Sequence, residues 1–184
     1  TSGQLFDTLS FRGIEVLSDD RMQPQSRRGY APDIRGIART NARVTISQSG
    51  RLIYETTVSP GAFVIDDLYP SGYGGNLDVT VTEADGSVHT FQVPYASVAQ
   101  LLRPGAHRYD VLAGKLNDPS VSFDPTLYQA TYQRGLTNIF TAYGGIQGSG
   151  SGYYALMLGT AVSTPVGAFS ADVTQARTHL KQAP

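Results

Sequence analysis

Chemistry in this chain would have to start from its histidines, its paired carboxylates, its serines or its glycine-rich words, and spacing tests each of them. His89, His107 and His179 stand far apart, and none lies at metal-ligand spacing from another histidine or an acid cluster. Asp66-Asp67 sets two carboxylates side by side, as acid/base or metal chemistry requires. No histidine or third acid is close to them in sequence, so the pair reads as a turn or cap. The serines lack a Gly-x-Ser-x-Gly elbow and a nearby base. Gly72-Tyr73-Gly74-Gly75 lacks the strand, helix and lysine of a phosphate cradle. Cysteine is absent, which removes disulfides and thiolate metal sites. These residues therefore name no catalytic, cofactor-binding or metal-binding group, and the sequence reads as a non-enzyme that needs no cofactor.

Bulk charge excludes another class of function. With 14 basic and 15 acidic residues the formal net charge is -1, so no overall field recruits nucleic acid or any other polyanion. Charged residues make up 16% of the chain, against about 25% in a typical soluble domain. The 20 glycines and 11 tyrosines suit short strands, tight turns and an aromatic-bearing surface. A membrane-spanning helix needs about 20 apolar residues in a row, and runs such as YYALML are far shorter. Any passage through a membrane must then use a closed sheet. The first residues, TSGQLFDT, carry no secretion signal and read as the middle of a protein.

The elements that would position functional groups are β-strands. Residues 31–95 read as one antiparallel domain. Ala42, Val44 and Ile46 alternate with Arg43, Thr45 and Ser47, the period of a strand with one buried face. Ser49-Gly50 turns the chain into Arg51 to Val58, and Ala84-Asp85-Gly86 joins Leu77, Val79 and Val81 to Ser87 to Val93, a strong hairpin signal. Four to six short strands at this spacing make a small β-sandwich. Its expected core is Val44, Ile46, Leu52, Tyr54, Phe63, Ile65, Leu77, Val79, Val81, Phe91 and Val93.

Outside that domain the pattern changes. Leu5 to Leu17 is a strand whose faces are not cleanly sorted. From His107 onward come segments of about ten residues: Arg108 to Leu116, Thr126 to Arg134, Thr137 to Ile146, Tyr153 to Ser163 and Val166 to Ala176. Tyr128, Ala130 and Tyr132 oppose Gln129, Thr131 and Gln133, and Tyr154, Leu156 and Leu158 oppose Tyr153, Ala155 and Met157. This alternation fits transmembrane strands, and tyrosines near their ends suit an interfacial girdle. It equally fits a glycine-rich sandwich in water.

The words FRGIEVLSDDRMQPQSRRGYAP, RGIARTNARVTISQSGRLIYETTVSPGAFVIDDL, TVTEADGSVHTFQVPYASV and YDVLAGKLND closely resemble outer-membrane ushers of the bacterial chaperone/usher pilus (fimbrial) pathway. The resemblance runs from about Leu5 to Ala176. It implies an all-β fold in which a small sandwich, the plug, is inserted between strands of a transmembrane β-barrel. On this basis 1–30 is a barrel strand and linker, 31–99 the plug, and 100–184 a linker and about five barrel strands, only a fraction of a barrel. Leu5 to Leu17 then lines the lumen, with Arg12 and Glu15 inward. The implied function is assembly and translocation of pilus subunits at the outer membrane of a Gram-negative cell, with the plug gating the pore. The implied partners are periplasmic chaperone–subunit complexes and lipid, without nucleotide. Strand exchange between subunits conserves main-chain hydrogen bonds.

For gating, a releasable latch of solvated ion pairs points to Asp7, Arg12 and Glu15 on the first strand and Arg35, Arg39 and Arg43 on the plug, each pair contributing about 0 to 1 kcal/mol. Hinges fall in two linkers, at Arg27, Arg28 and Pro32 and at Arg103, Pro104 and Gly105. The open strand edges of such a fragment invite self-association. Residues on either side of Pro32 and Tyr95 are expected to belong to separate hydrophobic interiors. A rival reading takes the sandwich as a soluble immunoglobulin-like or pilin-like binding module in surface-fibre assembly.

Overall fold

The computed structural model describes residues 5–6, 11–71, 75–116 and 125–178. Asp7, Gly72 to Gly74, residues 117–124 and His179 lie outside the described residues. The described chain is all-β, with two short 3₁₀ turns at Asp20–Met22 and Gln25–Arg27. Strand β1 is Phe11–Leu17, while Leu5 and Phe6 lie in a bend rather than in a strand.

Six short strands then build the small sandwich, the domain expected to be the plug and called so below: β2 (Ile34–Ala38), β3 (Ala42–Gln48), β4 (Arg51–Val58), β5 (Gly61–Ile65), β6 (Leu77–Glu83) and β7 (Val88–Val93). They form a two-stranded sheet, β2-β5, and a four-stranded sheet, β4-β3-β6-β7. Ser49 and Gly50 both take positive φ, 51° and 77°, the backbone of a tight hairpin turn whose twist matches its strands. Glu83, buried at the end of β6, accepts from the backbone N–H of Arg39 and of Thr40 at 2.9 Å each and from the Thr40 hydroxyl at 2.6 Å. One carboxylate thus ties off the turn between β2 and β3.

Ile34, Val44, Ile46, Leu77, Val79 and Val81 are almost wholly excluded from solvent between the sheets. Leu52, expected beside them, is 56% exposed. A β-bulge between Ile46 and Ser47 is the reason: Ile46 pairs with Tyr54, Ser47 pairs with Leu52, and Ile53 is left over. The extra residue reverses the alternation, so Tyr54 stays half-buried and Leu52 turns out. Phe91 and Val93 on edge strand β7 are only half-buried.

Five longer strands follow: β8 (His107–Leu116), β9 (Thr126–Gly135), β10 (Phe140–Ser149), β11 (Tyr153–Thr164) and β12 (Gly167–Thr178). With β1 they make one antiparallel sheet, β1-β8-β9-β10-β11-β12. Strand β1 pairs directly with β8, from Phe11 opposite Leu116 to Leu17 opposite Asp110. The plug and both linkers, residues 18–106, are therefore an insertion between two neighbouring strands.

Strand register sorts the two faces of this wall. Ile14, Val16, Val111, Tyr128, Tyr132, Ile146, Tyr154, Leu156 and Leu158 share one exposed apolar face. Gln129, Gln133, Thr141, Gln147 and Ser163 are buried on the other face, toward the plug. Arg12 and Glu15 are three residues apart and so point to opposite faces. Arg12 lies opposite Lys115 on the apolar side, and Glu15 lies opposite the buried Leu112. The expectation that both face inward is corrected by this parity.

The interiors of plug and wall are also not separate. Tyr30, Tyr95 and Leu101 continue the plug core to Tyr143 on β10 and Ala161 on β11 in one buried cluster. The linkers fold back so that their aromatic residues fill the space between sandwich and wall. Among the described residues Tyr143 and Ala161 are the buried wall side chains of that cluster, with Leu5 and Ala168 of β12 partly buried against it. The expectation of separate hydrophobic interiors is therefore corrected: one interior runs from the sandwich through the linkers to the wall.

Candidate functional site

The seam between sandwich, linkers and wall is what any separation of the sandwich from the wall must break. Arg103 is its hub. Its guanidinium is buried and donates to four backbone carbonyls: Gly29 at 3.0 Å, Asp66 at 3.1 Å, Ser26 at 2.7 Å and Leu68 at 2.5 Å. Ser26 and Gly29 belong to the first linker, Asp66 and Leu68 to the plug, and Arg103 itself to the second linker. Five donors in a rigid fork allow one side chain to bind three segments at once. Desolvation lowers its affinity for a proton below the usual arginine value, with the Asp33 carboxylate acting in the opposite sense. Arginine nonetheless stays charged at any physiological pH.

Around this hub, uncharged groups hold the plug to the wall. Asn138, in the turn between β9 and β10, accepts from the Asp33 backbone N–H at 2.9 Å and donates to the Asp33 carbonyl at 2.8 Å. The Tyr30 hydroxyl donates to the Asn138 carbonyl. Ser163 on β11 brackets the peptide at Ala96, accepting from its N–H at 3.3 Å and donating to its carbonyl at 2.9 Å. Thr141 on β10 meets Leu102 in the same way, accepting at 2.9 Å and donating at 3.4 Å. Tyr30 and Tyr95 stack at 5.9 Å, and the Tyr95 hydroxyl donates to the Tyr30 carbonyl at 3.2 Å. Burial raises the pKa of both phenols, so they remain neutral donors. Two short polar side chains on adjacent wall strands, Thr141 and Ser163, and Asn138 in the turn before them thus pair with linker backbone as an edge strand would. Near the rim, Arg108 on β8 forms an ion pair with Asp20 of the first linker.

A profile of the family described as outer membrane usher protein matches residues 1–184. The chain belongs to the outer membrane usher family. It is 52% identical over 177 residues to the usher MrkC of Klebsiella pneumoniae, covering 96% of this chain and 21% of that protein. It is 51% identical over 180 residues to the usher HtrE of Escherichia coli, covering 98% of this chain and 21% of that protein. Among solved structures it is similar to an E. coli P pilus tip assembly intermediate, PapC-PapD-PapK-PapG, with 40% identity and a TM-score of 0.63 over 98% of this chain and 22% of that one. The chain thus spans about a fifth of the length of the ushers it matches.

Within this usher segment the ionic latch residues are not brought together. Arg35 is exposed and pairs with Asp33 at 3.4 Å, and Arg43 is exposed and pairs with Glu55 across β3 and β4 at 3.7 Å. The exposed Arg39 contributes its backbone N–H to Glu83. Arg12 and Glu15 stand on opposite faces of β1, and Asp7 is outside the described residues. Among the hinge residues, Arg27 pairs with Asp66 at 3.3 Å, and Arg28 donates to the carbonyls of Gln23 and Arg21 at 2.9 and 2.6 Å. Pro32 is buried against the plug, and Gly105 takes a φ of 76° that favours glycine. Sequence reasoning missed Tyr30, Asp33, Glu83, Asn138, Thr141 and Ser163. For Thr141 and Ser163 the available signal was their place as small polar residues in the alternation of β10 and β11; the others carried none.

Proposed function

We propose that this segment is the gate-bearing part of an outer-membrane usher, a barrel wall with a plug that closes the pore and moves aside when pilus subunits are assembled and passed outward. The observation that carries it is the insertion of residues 18–106 between paired strands β1 and β8. A domain tethered at both ends to adjacent strands can swing but cannot leave. Its seam joins wall to linkers chiefly through neutral side chains, each hydrogen bond contributing about 0.5–1.5 kcal/mol net, beside the Arg103 hub and the Arg108–Asp20 pair, so it closes firmly yet opens without covalent chemistry. The periplasmic partners on this reading are chaperone–subunit complexes, whose strand exchange supplies the free energy without nucleotide.

A cross-link tests this directly. The chain has no cysteine, and the Ser163 hydroxyl lies 2.9 Å from the Ala96 carbonyl. Ala96→Cys with Ser163→Cys in the full-length usher should form a disulfide in the oxidising periplasm. Fibre assembly should stop in the oxidised protein and return on reduction. Undiminished assembly by the fully cross-linked usher would overturn the gating role.

A further inference from the structure

We propose that the outward face of the six-stranded wall carries a site for an anionic phospholipid, one acyl chain lying in a cleft beside Tyr132 and the headgroup phosphate held by Arg134 and His107. The proposal rests on the reading that this face meets lipid, and it adds a specific ligand to that reading.

The outward face of the wall carries charge of one sign, whereas the inward face mixes Arg108 with acids. In the register of β1 and β8 to β12, the outward face bears the cations Arg12, Lys115, Arg134 and Arg177, with His107 beside Arg134, and no aspartate or glutamate among the described residues. The acids of these strands, Glu15, Asp110 and Asp172, all point the other way. A face solvated by water mixes both signs. Outward cations confined to the strand ends match a bilayer, whose anionic groups lie at its two surfaces.

At the plug-side rim the fit becomes specific. Arg134, the penultimate residue of β9, lies directly opposite His107 on β8 and opposite Ala142 on β10. It is exposed and has no side-chain hydrogen bond or ion pair among the described residues. An arginine on a barrel's outer face is tolerated near the rim and not at mid-depth. His107 stacks on Tyr109 at 6.5 Å, and Tyr109 pairs with Tyr132 in the next row inward, an aromatic girdle at headgroup level.

From Arg134 a cleft of about 710 Å³ runs down the same face. Ala130, Ala142 and Gly144 form its floor, and Tyr132, Ile146 and Leu158 its walls. Apolar length with a cation at one end is complementary to an amphiphile carrying phosphate. Apart from the inserted residues 18–106, this rim has the turns 136–139 and 165–166, of four and two residues, whereas the opposite rim has the connections 117–125 and 150–152, of nine and three. Short turns mark the periplasmic side of such barrels, the leaflet built of phospholipid.

The test uses the full-length usher in phosphatidylcholine nanodiscs containing a minor fraction of phosphatidylglycerol, with lipids retained after extraction counted by native mass spectrometry. Phosphatidylglycerol should be enriched over its bulk fraction. Arg134→Gln should reduce its retention about tenfold, the effect of losing charge-assisted bonds to phosphate. Gly144→Leu fills the cleft without changing charge and should also reduce retention, whereas Arg177→Gln, an equal charge loss elsewhere on the face, should not. Equal losses for Arg134→Gln and Arg177→Gln overturn the site, as does retained lipopolysaccharide in place of phospholipid. A change in oligomeric state with Gly144→Leu at constant lipid content assigns the cleft to a second copy and also overturns it. Insertion without enrichment refutes the site alone; failure to insert refutes the lipid-facing reading as well.

Discussion

Asn138 and Asp33 exchange two hydrogen bonds, the asparagine side chain accepting from the Asp33 N–H at 2.9 Å and donating to the Asp33 carbonyl at 2.8 Å. A turn of the wall thereby supplies one amide that imitates a strand partner at the point where the plug begins. Asn138→Ala leaves both backbone groups of the nearly buried Asp33 without these partners, a loss of about 1–3 kcal/mol. In the full-length usher the plug should open more often, seen as more frequent conductance events in planar bilayers. Asn138→Asp keeps the acceptor, loses the donor and brings a second carboxylate toward Asp33, so it should be at least as leaky. Conductance equal to wild type in both variants would remove Asn138 from the latch.

Arg103 gives a prediction that separates charge from geometry. Arg103→Lys retains the positive charge, yet a lysine with three donors on one atom cannot reach four carbonyls in a fork. Leaving even one or two of them unpaired costs about 1–3 kcal/mol apiece. The first linker, held through Ser26 and Gly29, should loosen first. Tryptic cleavage after Arg27 and Arg28 should accelerate at least about tenfold in Arg103→Lys and further in Arg103→Ala. Unchanged protection in both would show that the four contacts are not what holds the linker.

Acid should weaken the plug through Glu83. Its pKa is depressed by the Thr40 hydroxyl and then by the N–H groups of Arg39 and Thr40. A carboxylate with a lowered folded-state pKa contributes stability above its unfolded value, near 4.5, and loses it as pH falls through the folded value. The protection factors of the Val44 and Val81 amides, taken relative to the intrinsic exchange rate at each pH, should therefore fall below about pH 4.5. Glu83→Gln should exchange faster at neutral pH and show a flatter acid dependence. Part of the acid response will remain, since Asp19 is lowered to about 2 by the Arg21 side chain and Asp85 is lowered by Ser87. If Glu83→Gln retains the full pH slope, Glu83 is not its source.

The fold was legible wherever local pattern and tertiary environment agree. Val44, Val79 and Val81 follow the alternation of a half-buried strand, and Tyr128, Ala130 and Tyr132 follow that of a wall with an apolar outside. Leu52 was not legible because a bulge is an extra residue in one strand relative to its partner, and only the pairing reveals it. The residues expected to form an ionic latch lie apart for a different reason. Arginines attract attention as gate contacts, yet Arg35 and Arg43 find acids on their own domain. The groups that join plug to wall, Asn138, Thr141 and Ser163, have no distinctive type or spacing. They matter because they meet backbone from residues 39 to 105 positions away, and sequence separation of that order leaves no local trace. Arg103 was legible as a breaker in a linker but not as a buried hub, which depends on three segments converging.

Two glycines on the wall test the proposed gate separately from the barrel. A Cβ on Gly159 would meet the Tyr143 ring at 2.3 Å, and one on Gly148 would meet the Tyr128 ring at 2.1 Å. Both tyrosines lie over a glycine on the neighbouring strand. Tyr143 points to the plug and belongs to the buried seam, whereas Tyr128 is half exposed on the outward face. Gly159→Ala should therefore push Tyr143 into the seam, raising conductance and linker proteolysis while the barrel still resists unfolding in detergent at room temperature. Gly148→Ala should displace Tyr128 toward lipid and lower the yield of heat-modifiable, folded barrel without raising conductance. Identical behaviour of the two variants would show that the rings serve only the wall, and that the contact of Tyr143 with the plug cluster carries no part of the closure.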